Sequence, residues 1–315
     1  MSQIKIFSGT SNTEFAKKVA KSAGVQLGSS TISRFADGEI QVEIHESVRG
    51  DSVFVIQSAC PPVNENYMEL FIVLDALKRA SAKQVTAVLP YYGYARQDRK
   101  VAPRAPISAK CMADLLTTAG ASRVVCVDLH AAQIQGFFNC PVDHLFAIPT
   151  LALEWRRRYG CGSQYVVVSP DAGGVERARA FAKKIDCSMA IIDKRRSGPN
   201  EAKALHLIGD VRDKIAIIVD DMIDTAGTLT QAVDSLIQNG AKRVFAVATH
   251  ALFSGPAVSR LKESGVEKVL VTDTIPLSEA ANACGKMEVV SMAPVVAEAL
   301  LRIYGNASVS SLFDD

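Results

Sequence analysis

The sequence predicts an α/β protein with two similar domains, each a mostly parallel sheet flanked by helices. Short, almost continuously apolar segments recur along the chain, and most are followed by a turn and a segment whose apolar residues have helical spacing. This alternation is typical of parallel strands that are covered on both faces. The chain has 315 residues, of which 48% are apolar and 22% charged, and this suits about two ordinary globular domains.

Eight segments are predicted as strands and four as helices. The strands lie at 51–58, 84–90, 123–129, 164–170, 188–194, 214–221, 243–250 and 268–273. The helices lie at 68–82, 107–121, 151–160 and 229–241. Gly120 and Gly240 stand near the C-termini of two of these helices, where glycine commonly ends a helix. The strand pattern gives way to a helix around Pro149, which predicts a domain boundary there.

The charge balance and the lack of targeting signals narrow the class of protein. The formal net charge is +2 and no block of five like charges occurs, which argues against a dedicated nucleic-acid binder. The seven cysteines are scattered without a Cys-x-x-Cys spacing, so we expect buried packing residues in a reducing compartment. The first twenty residues lack the apolar core of a signal peptide and no run of 18 apolar residues occurs, so we expect a cytoplasmic protein that does not enter membranes.

The most specific motif is an acidic, threonine-bearing segment at the end of the predicted strand 214–221. Ligands of open α/β sheets bind at the carboxyl ends of strands, where loop N–H groups and a helix N-terminus converge. The segment is therefore predicted to cradle a phosphate with Asp224, Thr225, Ala226, Gly227 and Thr228. Asp220 and Asp221 would repel that anion and suit sugar hydroxyls or a divalent cation. The alternative is that Asp224 or Thr225 caps the helix while the other aspartates are solvated.

A second loop of small residues follows the predicted strand 164–170. Glycine permits positive φ and close approach of the backbone, so a second anion loop is predicted at Asp171, Ala172, Gly173 and Gly174. An ordinary tight turn with a helix-capping Asp171 is an equally good interpretation.

Two pairs of charged residues stand at predicted strand ends. Lys194 and Arg196 follow an apolar run, and we expect them on a mobile loop that closes over a transferring phosphoryl group. An exposed basic turn is the alternative that composition alone favours. His130 comes next to Asp128, and an imidazole beside a carboxylate suits a cation, although a lone histidine at a strand end is more often structural.

Several side chains suit the recognition of an adenine base. They are a guanidinium, an amide, an aromatic ring and two carboxylates, namely Arg96, Gln97, Phe35, Asp37 and Glu39. A turn between two strands, indicated by Asp37 followed by Gly38, is the alternative for the acidic part of this set.

Nine motifs along the chain resemble, in order, those of ribose-phosphate pyrophosphokinases, which share the fold of type I phosphoribosyltransferases. They are RFADGE at 34–39, NENYMEL at 64–70, YGYARQDRK at 92–100, RAPISAK at 104–110, VDLHAAQIQGFF at 127–138, SPDAGG at 169–174, DKRR at 193–196, VDDMIDTAGTL at 219–229 and SVSSLF at 308–313. The resemblance implies two phosphoribosyltransferase-like domains, the first over 1–148 with a return of 302–315, and the second over 149–301.

The resemblance also implies a reaction and roles for named residues. The anomeric hydroxyl of ribose 5-phosphate attacks the β-phosphorus of ATP and yields phosphoribosyl diphosphate and AMP, with Mg²⁺ as cofactor. Lys194 would stabilise the transition state, and Arg196 would assist it and contact ribose 5-phosphate. The 171–174 loop would hold pyrophosphate, and His130 with Asp171 and Asp128 would bind magnesium. Asn139 departs from the family, which has an acid there in an outer metal-binding cluster.

The same resemblance implies oligomers and regulation. The residues Phe35, Asp37, Gly38 and Glu39 would complete the ATP site of a neighbouring subunit in a homo-oligomer, expected to be a hexamer. Inorganic phosphate as activator, or ADP or GDP as inhibitor, would bind at a regulatory site formed by Ser47, Arg49, Ser81, Arg104, Ser308, Val309 and Ser310. Two alternatives differ in function: a catalytically silent regulatory relative, and a nucleobase phosphoribosyltransferase.

Overall fold

The computed structural model describes residues 4–195 and 204–313. The chain divides into two compact units. The first contains everything described up to Phe146, together with Thr274–Pro276 and the described residues from Met292 onward. The second contains the described parts of Ala147–Asp273 and Leu277–Ser291.

Fourteen strands and nine α-helices form within the described ranges. The strands are β1 (Ile4–Ser8), β2 (Ser30–Arg34), β3 (Ile40–Ile44), β4 (Ser52–Ile56), β5 (Gln84–Leu89), β6 (Arg123–Val127), β7 (Val142–Leu145), β8 (Tyr165–Ser169), β9 (Ser188–Arg195), β10 (Ala204–Ile208), β11 (Ile215–Ile223), β12 (Arg243–Ala251), β13 (Val266–Thr272) and β14 (Met287–Val290). The helices are α1 (Thr13–Ser22), α2 (Val63–Arg79), α3 (Ser108–Ala119), α4 (Ile148–Tyr159), α5 (Val175–Lys184), α6 (Gly227–Gln238), α7 (Ala257–Glu263), α8 (Glu279–Ala283) and α9 (Ala293–Tyr304). None of the helices in these ranges has the length and apolar character that crossing a bilayer requires.

The first unit is built on an all-parallel sheet in the order β1-β4-β5-β6-β7, beside a separate β2–β3 hairpin. Helix α2 covers one face of the sheet, because its apolar residues recur at helical spacing as Leu70, Val73, Leu74 and Leu77, all of them buried. Helices α1 and α9 pack against each other in the same unit. The strand order follows the chain, and among the described residues the outer side of β1 pairs through an isolated bridge to Leu27.

The second unit has a seven-stranded sheet in the order β10-β9-β8-β11-β12-β13-β14. All its neighbouring strands are parallel except the edge pair β9 and β10. From β8 the chain proceeds outward through β9 and β10, and it then returns to β11 and proceeds to the opposite edge. The loops after β8 and β11 therefore leave in opposite directions and open a crevice between them. Both units confirm the predicted α/β class.

The prediction that the cysteines are buried packing residues is wrong for most of them. All seven are free thiols, and only Cys60 and Cys126 are buried. Cys111 is exposed because it lies on α3 away from the buried face formed by Ala109, Ala113 and Leu116. A residue type alone does not tell on which face of a helix it falls.

Buried polar side chains close the loop that follows β1. The carboxylate of Glu69, on α2, accepts hydrogen bonds of 2.6 Å from both the N–H and the hydroxyl of Thr10. Gln57 donates to Glu69 at 2.7 Å, and its amide oxygen accepts from the hydroxyl of Ser11, also at 2.7 Å. A small-residue loop at a strand end thus has its donors taken by an internal carboxylate and amide. Gly9 lies directly over both groups.

We expect Gly9→Ala to destabilise the protein by about 1–3 kcal/mol, as overpacked buried sites do. A Cβ atom there would stand 2.2 Å from Gln57 Oε1 and 2.8 Å from Glu69 Oε1, and neither side chain can withdraw without breaking this network. Urea unfolding measures the loss. Gly136→Ala is the matched control, because a Cβ at that position meets nothing within 4 Å and should change stability by no more than about 0.5 kcal/mol. Equal effects of the two substitutions would contradict this account.

Candidate functional site

Strand β11 carries the acidic pair Asp220 and Asp221 past the end of its neighbour β8. Pairing with β8 stops at Ile218, opposite Val168, whereas pairing with β12 continues to Ile223. The strand therefore ends two residues later than predicted, because β12 still supplies hydrogen-bond partners on one side. On the side of β8, strand pairing ends before Asp220 and Asp221.

A short loop connects β11 to α6 and leaves the start of the helix without a side-chain cap. The N-cap residue is Ala226, and not Asp224 or Thr225 as the capping alternative requires. Ala226 has a φ of 59° and is buried, a left-handed conformation that costs a non-glycine residue about 1–2 kcal/mol. The first N–H groups of α6, from Gly227 onward, have no partner within the helix. They form a donor set of the kind that binds anions.

Contacts from outside the loop hold it in this shape. The N–H groups of Phe253 and Ser254 donate to the carbonyls of Ile223 and Asp224, each at 3.0 Å. Arg260, on α7, donates from Nη1 to the carbonyl of Thr225 at 3.0 Å. Arg260 was not predicted from the sequence, because Arg260 lies 35 residues after Thr225 and resembles an ordinary surface charge on a short helix. Its contact fixes a loop carbonyl and adds a positive charge beside the helix N-terminus.

These elements enclose a cavity of about 190 Å³ in the second unit, at the crevice between β8 and β11. It is lined by Pro170, Asp171, Ile218, Asp220, Met222, Ile223, Asp224, Thr225, Ala226, Gly227, Thr228, Leu229, Ala246 and Val247. The structure thus brings the predicted phosphate segment, one member of the acidic pair and the start of the second loop to one place. The cavity offers backbone donors for an anion beside carboxylate acceptors.

The acidic pair is electrostatically strained. Asp221 is buried, and its N–H donates to Asp220 Oδ1 at 2.9 Å. Burial raises the pKa of Asp220, and the neighbouring carboxyl of Asp221 raises it further by repulsion. Arg177, on α5, lies with Nη1 3.6 Å from one oxygen of each carboxylate and opposes that rise. A site that binds hydroxyl donors needs such acceptors in place before the ligand arrives.

The second predicted anion loop forms the tight turn of its alternative interpretation, while anion binding there stays a prediction. Asp171 Oδ1 accepts from the N–H of Gly174 at 3.1 Å, and Ser169 Oγ donates to the Asp171 carbonyl at 2.6 Å, which is a tight turn into α5. The prediction that these glycines adopt positive φ is wrong, since Gly174 has a φ of −86° and Gly173 is not among the positive-φ residues. Space favours glycine at 174, because a Cβ there would lie 3.0 Å from Ser169 Oγ, a tight contact. Asp171, Ala172 and Gly173 are exposed.

The expectation that Lys194 lies on a loop is also wrong for its backbone. Strand β9 extends to Arg195, because β10 folds back antiparallel and pairs Leu205 with Lys194. Arg196 lies outside the described residues.

In the first unit, the β2–β3 hairpin ends in the turn that Asp37 and Gly38 predict. The N–H of Phe35 donates to the Glu39 carbonyl at 2.8 Å, and Gly38 has a φ of 95°. Phe35, Asp37, Gly38 and Glu39 are all exposed, and the Phe35 side chain is 51% exposed, an unusual state for an aromatic ring. Next to this turn, a 2.7 Å ion pair between Arg34, the last residue of β2, and Glu65 ties the hairpin to α2.

The other residues predicted for nucleotide binding have distinct surroundings. Arg96, Gln97 and His130 are exposed. The side-chain oxygen of Gln97 accepts from the Ser108 hydroxyl at the start of α3, so this amide also serves the helix terminus. Asp128 is buried just after β6, with a φ of 39°, and its N–H donates to the Leu145 carbonyl at 2.9 Å.

Comparisons with known proteins show to which family the chain belongs. The model for the N-terminal domain of ribose phosphate pyrophosphokinase matches residues 4–120, and that for the phosphoribosyl synthetase-associated domain matches 195–314. Ribose-phosphate pyrophosphokinases of Fusobacterium nucleatum and Aquifex aeolicus are 56% and 54% identical, over 99% of this chain and 98% and 100% of theirs. The chain belongs to the ribose-phosphate pyrophosphokinase family. The family predicted from its motifs is confirmed.

A solved structure agrees with this membership. The crystal structure of phosphoribosylpyrophosphate synthetase from Mycobacterium smegmatis is 44% identical, with a TM-score of 0.92 over 97% of this chain and 100% of that one. The match extends over both units of a ribose-phosphate pyrophosphokinase. These relatives carry the names of enzymes, so the comparisons give no support to the alternative of a silent regulatory relative.

Part of the regulatory site predicted for ribose-phosphate pyrophosphokinases comes together in the first unit. Ser47 and Arg49 are exposed on the turn before β4, and Ser81 follows α2. The N–H of Gly50 donates to the Ser81 carbonyl at 3.0 Å, which places these two turns side by side. Arg104 is exposed in the segment before α3.

The terminal part of that predicted site belongs to the same unit. The hydroxyls of Ser308 and Ser310 lie 2.8 Å apart, and Arg302 donates to the Ser308 carbonyl at 3.0 Å. Val309 lies between the two serines. The ring of Phe313 packs edge-on against Phe146, with ring centroids 5.5 Å apart. The segment after α9 therefore lies on the first unit.

We expect Asp220→Asn to stabilise the protein, and more strongly at pH 8 than at pH 5. Because the pKa of Asp220 is raised on folding, the folded state binds this proton more tightly than the unfolded chain does, and stability falls as the pH rises between the two pKa values. The amide removes this loss. The expected gain in Tm at pH 8 is about 2–4 °C, equal to ~1 kcal/mol. Thermal unfolding measures it, with Asp234→Asn, an exposed position on α6, as control. A gain that does not depend on pH would contradict the argument.

Proposed function

We propose that this chain transfers the diphosphoryl group of ATP to ribose 5-phosphate. The anomeric oxygen of the sugar attacks the β-phosphorus of ATP, the bond from that phosphorus to the α,β-bridging oxygen breaks, and the products are phosphoribosyl diphosphate and AMP. Family membership supports the reaction, and one observation in the structure carries the assignment of the site. That observation is the cavity at the β8–β11 crevice, which combines uncapped helix N–H groups with carboxylate acceptors.

Ribose 5-phosphate has two chemical ends, and this cavity offers a counterpart to each. The 5-phosphate would lie at the start of α6, held by the segment Asp224–Thr228, where backbone N–H groups and the helix dipole favour an anion. Asp220 and Asp221 would accept hydrogen bonds from the sugar hydroxyls. The positive charge of Arg260 beside the loop also favours the phosphate end.

The transferred group needs positioning and neutralisation of charge more than covalent chemistry. The loop Asp171, Ala172, Gly173 and Gly174 would hold the diphosphate, and its first residue lines the cavity. Lys194 would stabilise charge in the transition state, with Arg196 assisting it and contacting ribose 5-phosphate. The backbone supports this role of Lys194, because β9 is the direct neighbour of β8, whose carboxyl end leads into the 171–174 loop.

The ATP side of the reaction is assigned to residues of the first unit. Arg96, Gln97 and His130 would bind the nucleotide, and their exposure leaves them accessible. The hairpin tip with Phe35, Asp37, Gly38 and Glu39 would reach the ATP site of a neighbouring subunit. The exposed Phe35 ring supports this, because a protruding aromatic residue suits an intermolecular contact. We therefore propose a homo-oligomer. A hexamer is the state that the family resemblance implies, and the cytoplasm is the proposed location.

Mg²⁺ is the proposed cofactor, with His130, Asp128 and Asp171 as ligands. The described residues contain no group of three or more His, Cys, Asp or Glu side chains arranged for a metal ion. Mg²⁺ is commonly held by one or two carboxylates together with substrate phosphates, and Asp128 and Asp171 supply side chains of that ligand type. The ion would neutralise phosphate charge. Asn139 is exposed and has no carboxylate, so no outer site is proposed there.

Inorganic phosphate is proposed as an activator at the regulatory residues Ser47, Arg49, Ser81, Arg104, Ser308, Val309 and Ser310. The adjacent turns of Arg49 and Ser81 support this, because a guanidinium and a hydroxyl on neighbouring turns suit a phosphate.

The test of the reaction is the identity of the nucleotide that leaves. We expect the purified protein, with ATP, Mg²⁺ and ribose 5-phosphate, to release AMP and phosphoribosyl diphosphate in equal amounts, measured by ion-exchange chromatography. Release of ADP would mean transfer of the γ-phosphoryl group, and the proposed function would be wrong.

Lys194→Ala tests the catalytic role within that reaction. We expect kcat to fall about 10²–10³-fold, as on loss of one group that stabilises transition-state charge, while the KM values change little. Lys262→Ala, at an exposed position on α7, is the matched control and should retain wild-type kcat. A similar loss in both variants, or none in Lys194→Ala, would remove Lys194 from the catalytic group.

Arg49→Ala tests the regulatory site. We expect wild-type activity to fall when inorganic phosphate is removed, and the variant to respond to phosphate at least about tenfold more weakly, in line with the loss of one charge-assisted phosphate contact worth ~1.4 kcal/mol. Initial rates over a phosphate titration give both results, with Arg157→Ala, exposed on α4, as control. An unchanged phosphate response in Arg49→Ala would mean that this turn does not bind the activator.

A further inference from the structure

Arg177 lies outside every motif predicted from the sequence, yet its guanidinium lies beside Asp220, which lines the cavity, and beside the neighbouring Asp221. We propose that Arg177 is a positioning residue, which holds the carboxylates of Asp220 and Asp221 in the orientation that receives the hydroxyls of ribose 5-phosphate. This inference rests on the proposed function of that site.

The geometry is specific to the two carboxylates. Nη1 of Arg177 lies 3.6 Å from Asp220 Oδ1 and 3.6 Å from Asp221 Oδ1. Side chains of successive strand residues normally point to opposite faces of a sheet. Here, Nη1 of Arg177 lies near a side-chain oxygen of both aspartates. The Asp220 carboxylate lies back along the strand, where it accepts a hydrogen bond from the Asp221 N–H. Arg177 therefore stands between two acids that would otherwise diverge.

Because the three side chains are largely buried, the positive charge of Arg177 acts strongly on the two carboxylates. The side chains of Arg177, Asp220 and Asp221 are 19%, 30% and 6% exposed. Water screens charges poorly at such positions, so two adjacent carboxylates repel each other strongly unless a cation lies between them. An arginine is suited to this place, because its planar fork stays charged and offers several donors in fixed directions.

The position of Arg177 on its helix argues against a role in the core alone. The buried face of α5 consists of Ala178, Phe181 and Ala182, and Arg177 is not part of it. Helix α5 begins directly after the 171–174 loop, so the helix that ends this loop also carries the guanidinium to the acids. A substitution at Arg177 should therefore affect the sugar end of the site without removing core packing.

The test compares Arg177→Met, Arg177→Lys and Arg179→Met. Met keeps an aliphatic chain similar to that of arginine and removes the charged guanidinium, Lys keeps a charge without the fork, and Arg179 is an exposed arginine on the same helix. We expect Arg177→Met to raise the KM for ribose 5-phosphate at least tenfold, with the KM for ATP within about twofold of wild type. Arg177→Lys should recover part of the loss, and Arg179→Met should behave as wild type.

Binding of ribose 5-phosphate by calorimetry, without ATP, separates this inference from the proposed reaction. Weaker binding in Arg177→Met, in a protein whose wild type releases no AMP, would overturn the reaction and uphold the positioning role. Unchanged binding and KM in both Arg177 variants would overturn the positioning role while AMP release upholds the reaction. An equal rise of both KM values, or an equal effect of Arg179→Met, would also overturn it. If Arg177→Met does not fold, as thermal unfolding shows, Arg177→Lys alone decides, with an expected threefold or greater loss of affinity for ribose 5-phosphate.

Discussion

The electrostatic arrangement of residues 220–228 is the constraint on which the rest of the site depends. Within nine residues the chain places the carboxylates of Asp220 and Asp221, which repel an anion, close to the N-terminus of α6, which attracts one. The two halves can coexist because each is stabilised from a different helix: α5 brings Arg177 to the acids, and α7 brings Arg260 to the loop carbonyl. A sugar phosphate has the same division of chemistry, with hydroxyl donors at one end and an anion at the other.

The two units solve the same local problem in opposite ways. Both have a loop of small residues after their first sheet strand. In the first unit, Glu69 and Gln57 fill the loop after β1 and take the hydrogen bonds of Thr10 and Ser11. In the second unit the crevice between β8 and β11 stays open. A carboxylate built into the protein thus occupies the loop of the first unit, while the crevice of the second unit remains accessible for the sugar phosphate that we propose as its ligand.

Much of the fold could be predicted from the sequence, and the omissions have physical causes. All eight predicted strands exist, because each is an apolar run, and most of them are buried on both faces. The hairpin strands β2 and β3 were missed because none of their residues is buried and they mix polar with apolar residues. Lys194 was expected on a loop although the predicted strand 188–194 already included it, and pairing with β10 keeps its backbone within β9. Arg177 and Arg260 resemble any surface arginine on an amphipathic helix, since only tertiary packing brings them to the site.

Local rules of stability are broken together in this one segment, and this concentration is itself an argument for function. Ala226 takes a left-handed conformation that glycine would adopt at lower cost, α6 begins without a side-chain cap, and Asp220 stands beside a buried carboxylate. Each departure lowers stability by itself, and elsewhere on the chain helices such as α1 and α8 do have capping side chains. Uncapped helices and positive-φ residues also occur elsewhere among the described residues, as at α2 and Asp128, but here they coincide with two adjacent carboxyl groups, one of which is buried. A ligand that offers an anion and hydroxyl donors would offset all three costs at once.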